Sequence, residues 1–441
     1  MEVGLIILLV FVVLLVLLAI EVPVAFCLAA SGTFGLMLLR GQNVAGATLA
    51  SVPYQAAASF TMTVVPMFIL MGMLAMHANI AEDLFRITNR IFRRVTGGVA
   101  VATVITCAGF SAVCGSSVAT AATVGRLTIA EMEKYGFSSG FAAAVVASAG
   151  TLGVLIPPSI ALVLFGIITN ESIGKLLIAG IIPGILSAVI MGVGILVFAR
   201  MGVGFDRKAT AASSTPVVQA GGYGGVMRLA VLFAIVIGGI YSGLITATEA
   251  AAIGALAALV MLLMRILSER MSLWPTLFGA LRESASVTSM VFAIIVGSSI
   301  FSYFIVSAGV PTAFSNWVLG FELPPLLLVL LLLLSLIPLG MFLDGVSILL
   351  ITVPLFYPVV VGELGYDGLW YAILTVKMIE LGLITPPVGV NAFIVSSMVR
   401  DRGGLEMVFR NIWAFIILDL IIFAVLFAFP GIVSWLPGQV R

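Results

Sequence analysis

The chain has 441 residues, of which 62% are hydrophobic and 9% charged, with a formal net charge of +1 and a mean hydropathy of +1.29. A soluble globular protein carries roughly 25% charged residues, so this composition excludes a water-exposed fold and places the chain in a bilayer. The near-neutral balance excludes nucleic-acid binding driven by bulk electrostatics. Cys27, Cys107 and Cys114 form no C-x-x-C pair, and with the single His77 they cannot build a Cys/His zinc site.

The apolar run 3–20 follows a lone Glu2 and lacks the cationic start and small-residue cleavage site of a signal peptide, so it is read as a first membrane helix. About 20 apolar residues cross the hydrocarbon core. On that basis further crossings are expected at 23–39, 61–78, 138–168 and 176–199. After a break come 229–243, 248–267, 286–306, 366–398 and 411–429. Between the third crossing and the next apolar stretch, residues 79–95 carry a stripe of Ile80, Leu84, Ile87, Ile91 and Val95. Glu82 and Asp83 lie in the first turn and Arg93 and Arg94 in the last, which complements a helix dipole. Asn79 is expected to cap this interfacial arm helix and Gly97-Gly98 to stop it.

The stretches 97–134 and 323–363 are each long enough for two helices, and their centres read GFSAVCGSSVAT (109–120) and PLGMFLDGVS (338–347). Small, polar and helix-breaking residues at those centres predict re-entrant hairpins with tips near the midplane. The segments 138–168 and 366–398 are interrupted by Pro-Pro in GTLGVLIPPS (150–159) and ELGLITPPVG (380–389). Adjacent prolines remove helix hydrogen bonds, and irregular backbone at membrane depth survives only where it is buried in protein or lines a cavity. Both are therefore expected to be broken helices.

The two Pro-Pro sites lie 229 residues apart. A shift of that size superposes each hairpin, broken helix and closing helix on its counterpart. The reading is an all-α polytopic membrane protein of two repeats, 1–202 and 226–441, joined by a cytoplasmic linker at 203–225. Each repeat has five crossings, one hairpin and one broken helix; five is odd, so the second enters the membrane inverted. With both termini periplasmic, fifteen of the twenty Lys and Arg fall on the cytoplasmic side and three outside, while Arg126 and Lys377 lie within the membrane. This agrees with the positive-inside rule.

Inverted repeats whose broken helices meet at the midplane are the pattern of secondary transporters. Unwound backbone offers carbonyls to a cation, and half-helix N-termini offer positive dipole ends to an anion. The strings GSSVATAATVG (115–125), GTLGVLIPPSI (150–160), IYSGLITATEAAA (240–252), MFLDGVSILLITVP (341–354) and GLITPPVGVN (382–391) resemble the large, DctM-like membrane subunit of tripartite ATP-independent periplasmic (TRAP) transporters. The resemblance runs from about residue 20 to 430. It implies an elevator-type secondary transporter of the bacterial inner membrane, which couples Na+ to uptake of an organic acid. It also implies two partners, a periplasmic substrate-binding protein and a small membrane subunit of about four helices.

Carried over by position, a first Na+ site would use Ser111, Gly115, Ser116, Thr151, Gly153 and Pro157. A second would use Gly340, Asp344, Ser347, Gly382, Thr385 and Pro386, so at least two ions are expected. Substrate would sit near Ser116, Ser117, Asp344 and Asn391. Gly345 stands where many relatives have Pro.

Other charges inside the membrane have structural readings: Lys377 with Glu380 three residues on as a helical pair, Arg126 as a snorkelling residue, and Asp419 with Lys377 or a partner subunit. An alternative with the same architecture is a Na+/dicarboxylate symporter that needs no binding protein. A membrane enzyme is excluded on residue grounds, since the chain has no D-D-x-x-D and no usable His.

Overall fold

A computed structural model describes residues 2–205 and 224–439, and most of the 203–225 linker lies outside the described residues. Among the described residues the fold is all-helical, with one isolated β-bridge between Phe137 and Phe205. Seven helices are long and apolar enough to cross a bilayer, or up to eight if a bent pair is taken as one span. The chain is a multi-span membrane protein.

The first part opens with α1 (Val3–Ala19) and α2 (Val24–Arg40). A helix that the hydropathy pattern does not announce follows, α3 (Gln42–Ala57), built mainly from small and polar residues. α4 (Val64–His77) leads into the arm helix α5 (Ile80–Phe92), which has the expected apolar stripe but ends before Arg93. Asn79 does not cap α5 with its side chain. It takes a left-handed conformation at φ +60°, and its amide donates to Glu82 instead. Asn tolerates that conformation better than most residues.

The first hairpin is α6 (Gly98–Cys114) and α7 (Ser117–Lys134). The first broken helix is α8 (Ser139–Gly150) with its last turn α9 (Leu152–Leu155), then α10 (Ile160–Thr169), bent by 41° across the Pro-Pro break. α11 (Ile173–Ala179) and α12 (Ile181–Arg200) close this part. Past α12, Gly204 accepts from the Ser138 amide at 2.8 Å and Phe205 stacks on Phe137 at 4.4 Å, which docks the chain onto the base of the first hairpin.

The second part begins with α13 (Gly224–Phe233), which runs through a π-turn at Ala234–Gly238 into α14 (Gly239–Tyr241). α15 (Ala247–Glu269) and α16 (Leu273–Ser307) follow. At 35 residues α16 exceeds the expected 286–306 span, because its amphipathic start continues the helix beyond the apolar stretch. α17 (Val310–Leu319) precedes the second hairpin, made of α18 (Pro325–Leu334) with α19 (Leu336–Gly340), and α20 (Gly345–Tyr357). The second broken helix is α21 (Gly368–Gly382) and α22 (Val390–Ser396), and α23 (Gly404–Ala428) and α24 (Gly431–Ser434) end the fold. The order hairpin, broken helix, closing helix thus occurs twice.

Two of the cations that sequence sorting assigns to the cytoplasmic side, Arg228 and Arg265, meet at the end of α4. Arg228 pairs with Asp83, Arg265 donates to the His77 carbonyl at 2.8 Å and pairs with Glu269, and His77 lies 3.9 Å from Glu283. At Asp83 burial pushes the carboxyl above its ordinary value, and the Arg228 charge opposes that. Glu249 closes a capping box with Thr246 at the start of α15.

Candidate substrate and ion site

Each hairpin tip is shaped by the residue that starts its second arm. Gly115 adopts φ +64°, and a Cβ there would lie 2.5 Å from the Pro158 carbonyl oxygen, so the turn requires glycine. Ser116 then caps α7, its Oγ accepting from the Ala119 amide at 3.4 Å. In the second hairpin Asp344 caps α20: Oδ1 accepts from the amides of Val346 (3.1 Å) and Ser347 (3.0 Å), and the Ser347 hydroxyl donates to the same carboxylate. The Ser116 cap takes one first-turn amide of α7 and the Asp344 carboxylate takes two of α20, and each helix begins with a positive dipole end.

The tips are fastened to the broken helices backbone to backbone. The Gly115 carbonyl accepts from the Ile160 amide at 3.4 Å, and the Met341 carbonyl accepts from the Gly389 amide at 3.3 Å. A Cβ on Gly153 would meet the Ser116 carbonyl oxygen at 2.8 Å, and one on Gly340 would meet the Gly382 Cα at 2.7 Å. The Pro157-Pro158 and Pro386-Pro387 bonds are both cis.

Of the first set of expected ligands, Gly115, Ser116 and Gly153 converge directly, beside the Pro157-Pro158 break. Ser111 lies one turn below the tip, fully buried, its hydroxyl donating to the Cys107 carbonyl. Thr151 is buried and donates to the Ser148 carbonyl at 2.6 Å. Of the second set, Gly340 meets Gly382 and Asp344 holds Ser347, while Thr385 donates to the Leu381 carbonyl at 2.6 Å, next to Pro386. Every donor in both sets is an oxygen (hydroxyl, carboxylate or carbonyl), the chemistry of hard cations. Among the described residues no cluster of His, Cys, Asp and Glu suits another metal.

Between the tips lies a cavity of about 250 Å³. Ser116, Ser117 and Asp344 line it, while α4 and α16 close it with aliphatic side chains that include Ile69, Met73 and Met290. Asn391 does not line it. That side chain is fully buried, with neither amide atom partnered among the described residues, and its backbone N–H donates to the Leu383 carbonyl at 3.0 Å.

Glu380 lines the cavity instead, accepting from the Ser117 hydroxyl at 3.1 Å. The expected Lys377–Glu380 pair does not form, because Lys377 turns away and pairs with Asp419 on α23. A signal for Glu380 was present in the repeat: the 229-residue offset carries Thr151 onto position 380 and Gly153 onto Gly382. Arg126 is exposed on α7 and makes no ion pair among the described residues.

Residues 11–432 match the family described as tripartite ATP-independent periplasmic transporter, DctM component. The chain is 34% identical over 399 residues to the C4-dicarboxylate TRAP transporter large permease protein DctM of Pseudomonas aeruginosa, covering 90% of each. It is 29% identical over 396 residues to the isethionate TRAP transporter permease protein DctMQ of Oleidesulfovibrio alaskensis, covering 88% of this chain and 60% of that one. The crystal structure of the Alcanivorax borkumensis YdaH transporter shares the fold, with a TM-score of 0.64 at 13% identity over 90% of each chain. The chain therefore belongs to the DctM-component family and is similar along nearly its whole length to TRAP transporter large permeases.

Proposed function

We propose that this permease carries an organic anion into the cell, coupled to Na+, by moving the two hairpins and broken helices as one body against α4, α16 and the helices around them. The observation that carries the reading is the pairing of the two helix N-termini at one cavity, each tip locked to a broken helix. No Lys, Arg or His lines that cavity. An anion there is held by the positive end of α7 and by co-transported cations. Ser111, Gly115, Ser116, Thr151, Gly153 and Pro157 would hold one Na+ through hydroxyl and carbonyl oxygens. Gly340, Asp344, Ser347, Gly382, Thr385 and Pro386 would hold a second.

The inverted relation of the two halves, periplasmic termini and placement in the bacterial inner membrane belong to the same reading. So do a periplasmic binding protein that delivers the substrate and a separate small membrane subunit. The span of the DctMQ relative that this chain leaves unmatched supports that subunit.

The test is uptake into proteoliposomes holding this chain with its small subunit, with and without the binding protein. An imposed inward Na+ gradient is expected to drive uptake only when the binding protein is present. Asp344→Ala and Ser116→Ala are expected to abolish uptake while leaving membrane insertion intact. Normal uptake in both variants refutes the ion sites, and full-rate uptake without the binding protein refutes the tripartite reading.

A further inference from the structure

Glu380 is 3% exposed and sits between the two tips. Its Oε1 accepts from Ser117 of the first hairpin at 3.1 Å and lies 3.8 Å from where a Cβ on Gly345 of the second would be. Its other oxygen, Oε2, is buried with no partner, although the residue lines the cavity. Asp344, the other acidic residue there, has both oxygens engaged by Val346 and Ser347. Lys377, one turn away on the same helix, is taken by Asp419. The rest of the wall is largely aliphatic, with Val118, Val154, Val291, Leu349, Val376 and Leu383 among its members. A buried acceptor left unpaired is costly. Facing a ligand cavity, it is satisfied by a donor that the ligand brings.

We infer that Glu380 is a specificity-determining residue. Its Oε2 accepts a hydrogen bond from a hydroxyl or ammonium group on the substrate, whose acid group meets the helix N-termini and whose body is aliphatic. The permease is thus built for hydroxy or amino monoacids, whose donor meets Glu380 and whose one acid group meets the hairpin tips. This inference rests on the proposed transport function and names the substrate class at the same cavity.

The test uses the purified complex of this chain with its small subunit in nanodiscs, with thermal stabilisation titrated in NaCl and in KCl. The probes are 2-hydroxy-4-methylpentanoate, leucine, 4-methylpentanoate and succinate. In Na+ the hydroxy acid or leucine is expected to bind at least about tenfold more tightly than 4-methylpentanoate and succinate, the size of one buried hydrogen bond left unmade. Which of the two leads tells hydroxyl from ammonium. Glu380→Met, of similar length, is expected to erase that preference. Glu380→Gln, which keeps an acceptor but no charge, is expected to retain it for the hydroxy acid and lose it for leucine. Equal binding of all four probes, tightest binding of succinate or 4-methylpentanoate, an undiminished preference in Glu380→Met, or no binding of any probe overturns the inference. Identical titrations in Na+ and K+ count against the Na+-coupled reading and leave the donor preference to be judged on its own.

Discussion

Lys377 and Asp419 are 1% and 0% exposed, pair with each other, and tie α21 to α23. The second carboxylate oxygen of Asp419 has no partner, and Glu380, the nearest other acid along α21, is occupied by Ser117. Two ions enclosed this completely have lost their hydration, and their attraction roughly offsets that loss. Replacing both by apolar side chains is then nearly neutral, whereas removing one leaves a buried charge with no counterion. Lys377→Met alone and Asp419→Leu alone are each expected to cost about 3–5 kcal/mol. The double variant is expected to fall within about 1 kcal/mol of wild type or above it, a coupling of several kcal/mol between the sites. Steric-trap unfolding in bicelles gives the four corners of this cycle. Singles that each cost under about 1 kcal/mol, or a double variant that costs their sum, would refute the reasoning. Uptake measured beside stability separates a packing role from a transport role, because the pair faces α23 and lies outside the cavity lining.

Two further expectations follow from single positions. A Cβ on Gly340 would lie 2.7 Å from the Gly382 Cα and 3.0 Å from the Ile379 carbonyl oxygen. Both obstacles are backbone, so Gly340→Ala is expected to lose about 1–3 kcal/mol and most Na+-driven uptake, whereas Gly46→Ala, with nothing within 4 Å, is a harmless control. Glu249 accepts from the Thr246 amide at 2.8 Å and from its hydroxyl at 2.9 Å, and the Thr246 hydroxyl accepts from the Glu249 amide at 3.3 Å. Thr246→Ala removes the N-cap of α15 and is expected to cost about 0.5–2 kcal/mol; thermal unfolding unchanged from wild type would be the contrary result.

The membrane spans were legible because apolar runs bounded by charges have few alternatives in lipid. The hairpins and broken helices were legible because Gly115, Asp344 and the two Pro-Pro pairs are residues a plain crossing avoids. α3 was not, since its Ala, Gly, Ser and Thr carry neither a hydropathy peak nor a clear stripe; it is held by packing against α2 and α16. Nor was the partner of Lys377. Spacing along one helix names Glu380, while Asp419, 42 positions away on another helix where periodicity has no reach, is offered to Lys377 only as one of two readings, and that is the pair the structure makes. Asn391 is placed in the substrate site by resemblance, whereas its side chain is fully buried and outside the cavity lining.

The packing separates two kinds of contact, and their distribution bears on the proposed motion. Within the surrounding helices, α2 and α16 approach at glycine: a Cβ on Gly32 would fall 2.7 Å from the Phe301 Cα, and one on Gly297 would fall 2.1 Å from the Ala25 carbonyl oxygen. The hairpins meet their broken helices the same way at Gly153, Gly340 and Gly382. Interlocked backbone fits in one register and resists sliding. Between these bodies, around the cavity, α4 and α16 present Ile69, Met73, Val287, Met290 and Val291, together with Gly72, where a Cβ would lie 3.1 Å from the Val113 carbonyl oxygen of the first hairpin. Apart from Gly72, contact there is non-directional and Met re-packs readily, which suits the proposed sliding better than interlocked backbone does. The buried charges of α21 and α23 are kept off that seam, since Lys377 and Asp419 pair with each other outside the cavity lining. Glu380 is the exception: it faces the seam with one oxygen free. A donor-bearing substrate that covers this oxygen also removes the seam's one uncompensated acceptor on the cavity side. Under the proposed function, loading and freedom to move would be coupled through the same atom.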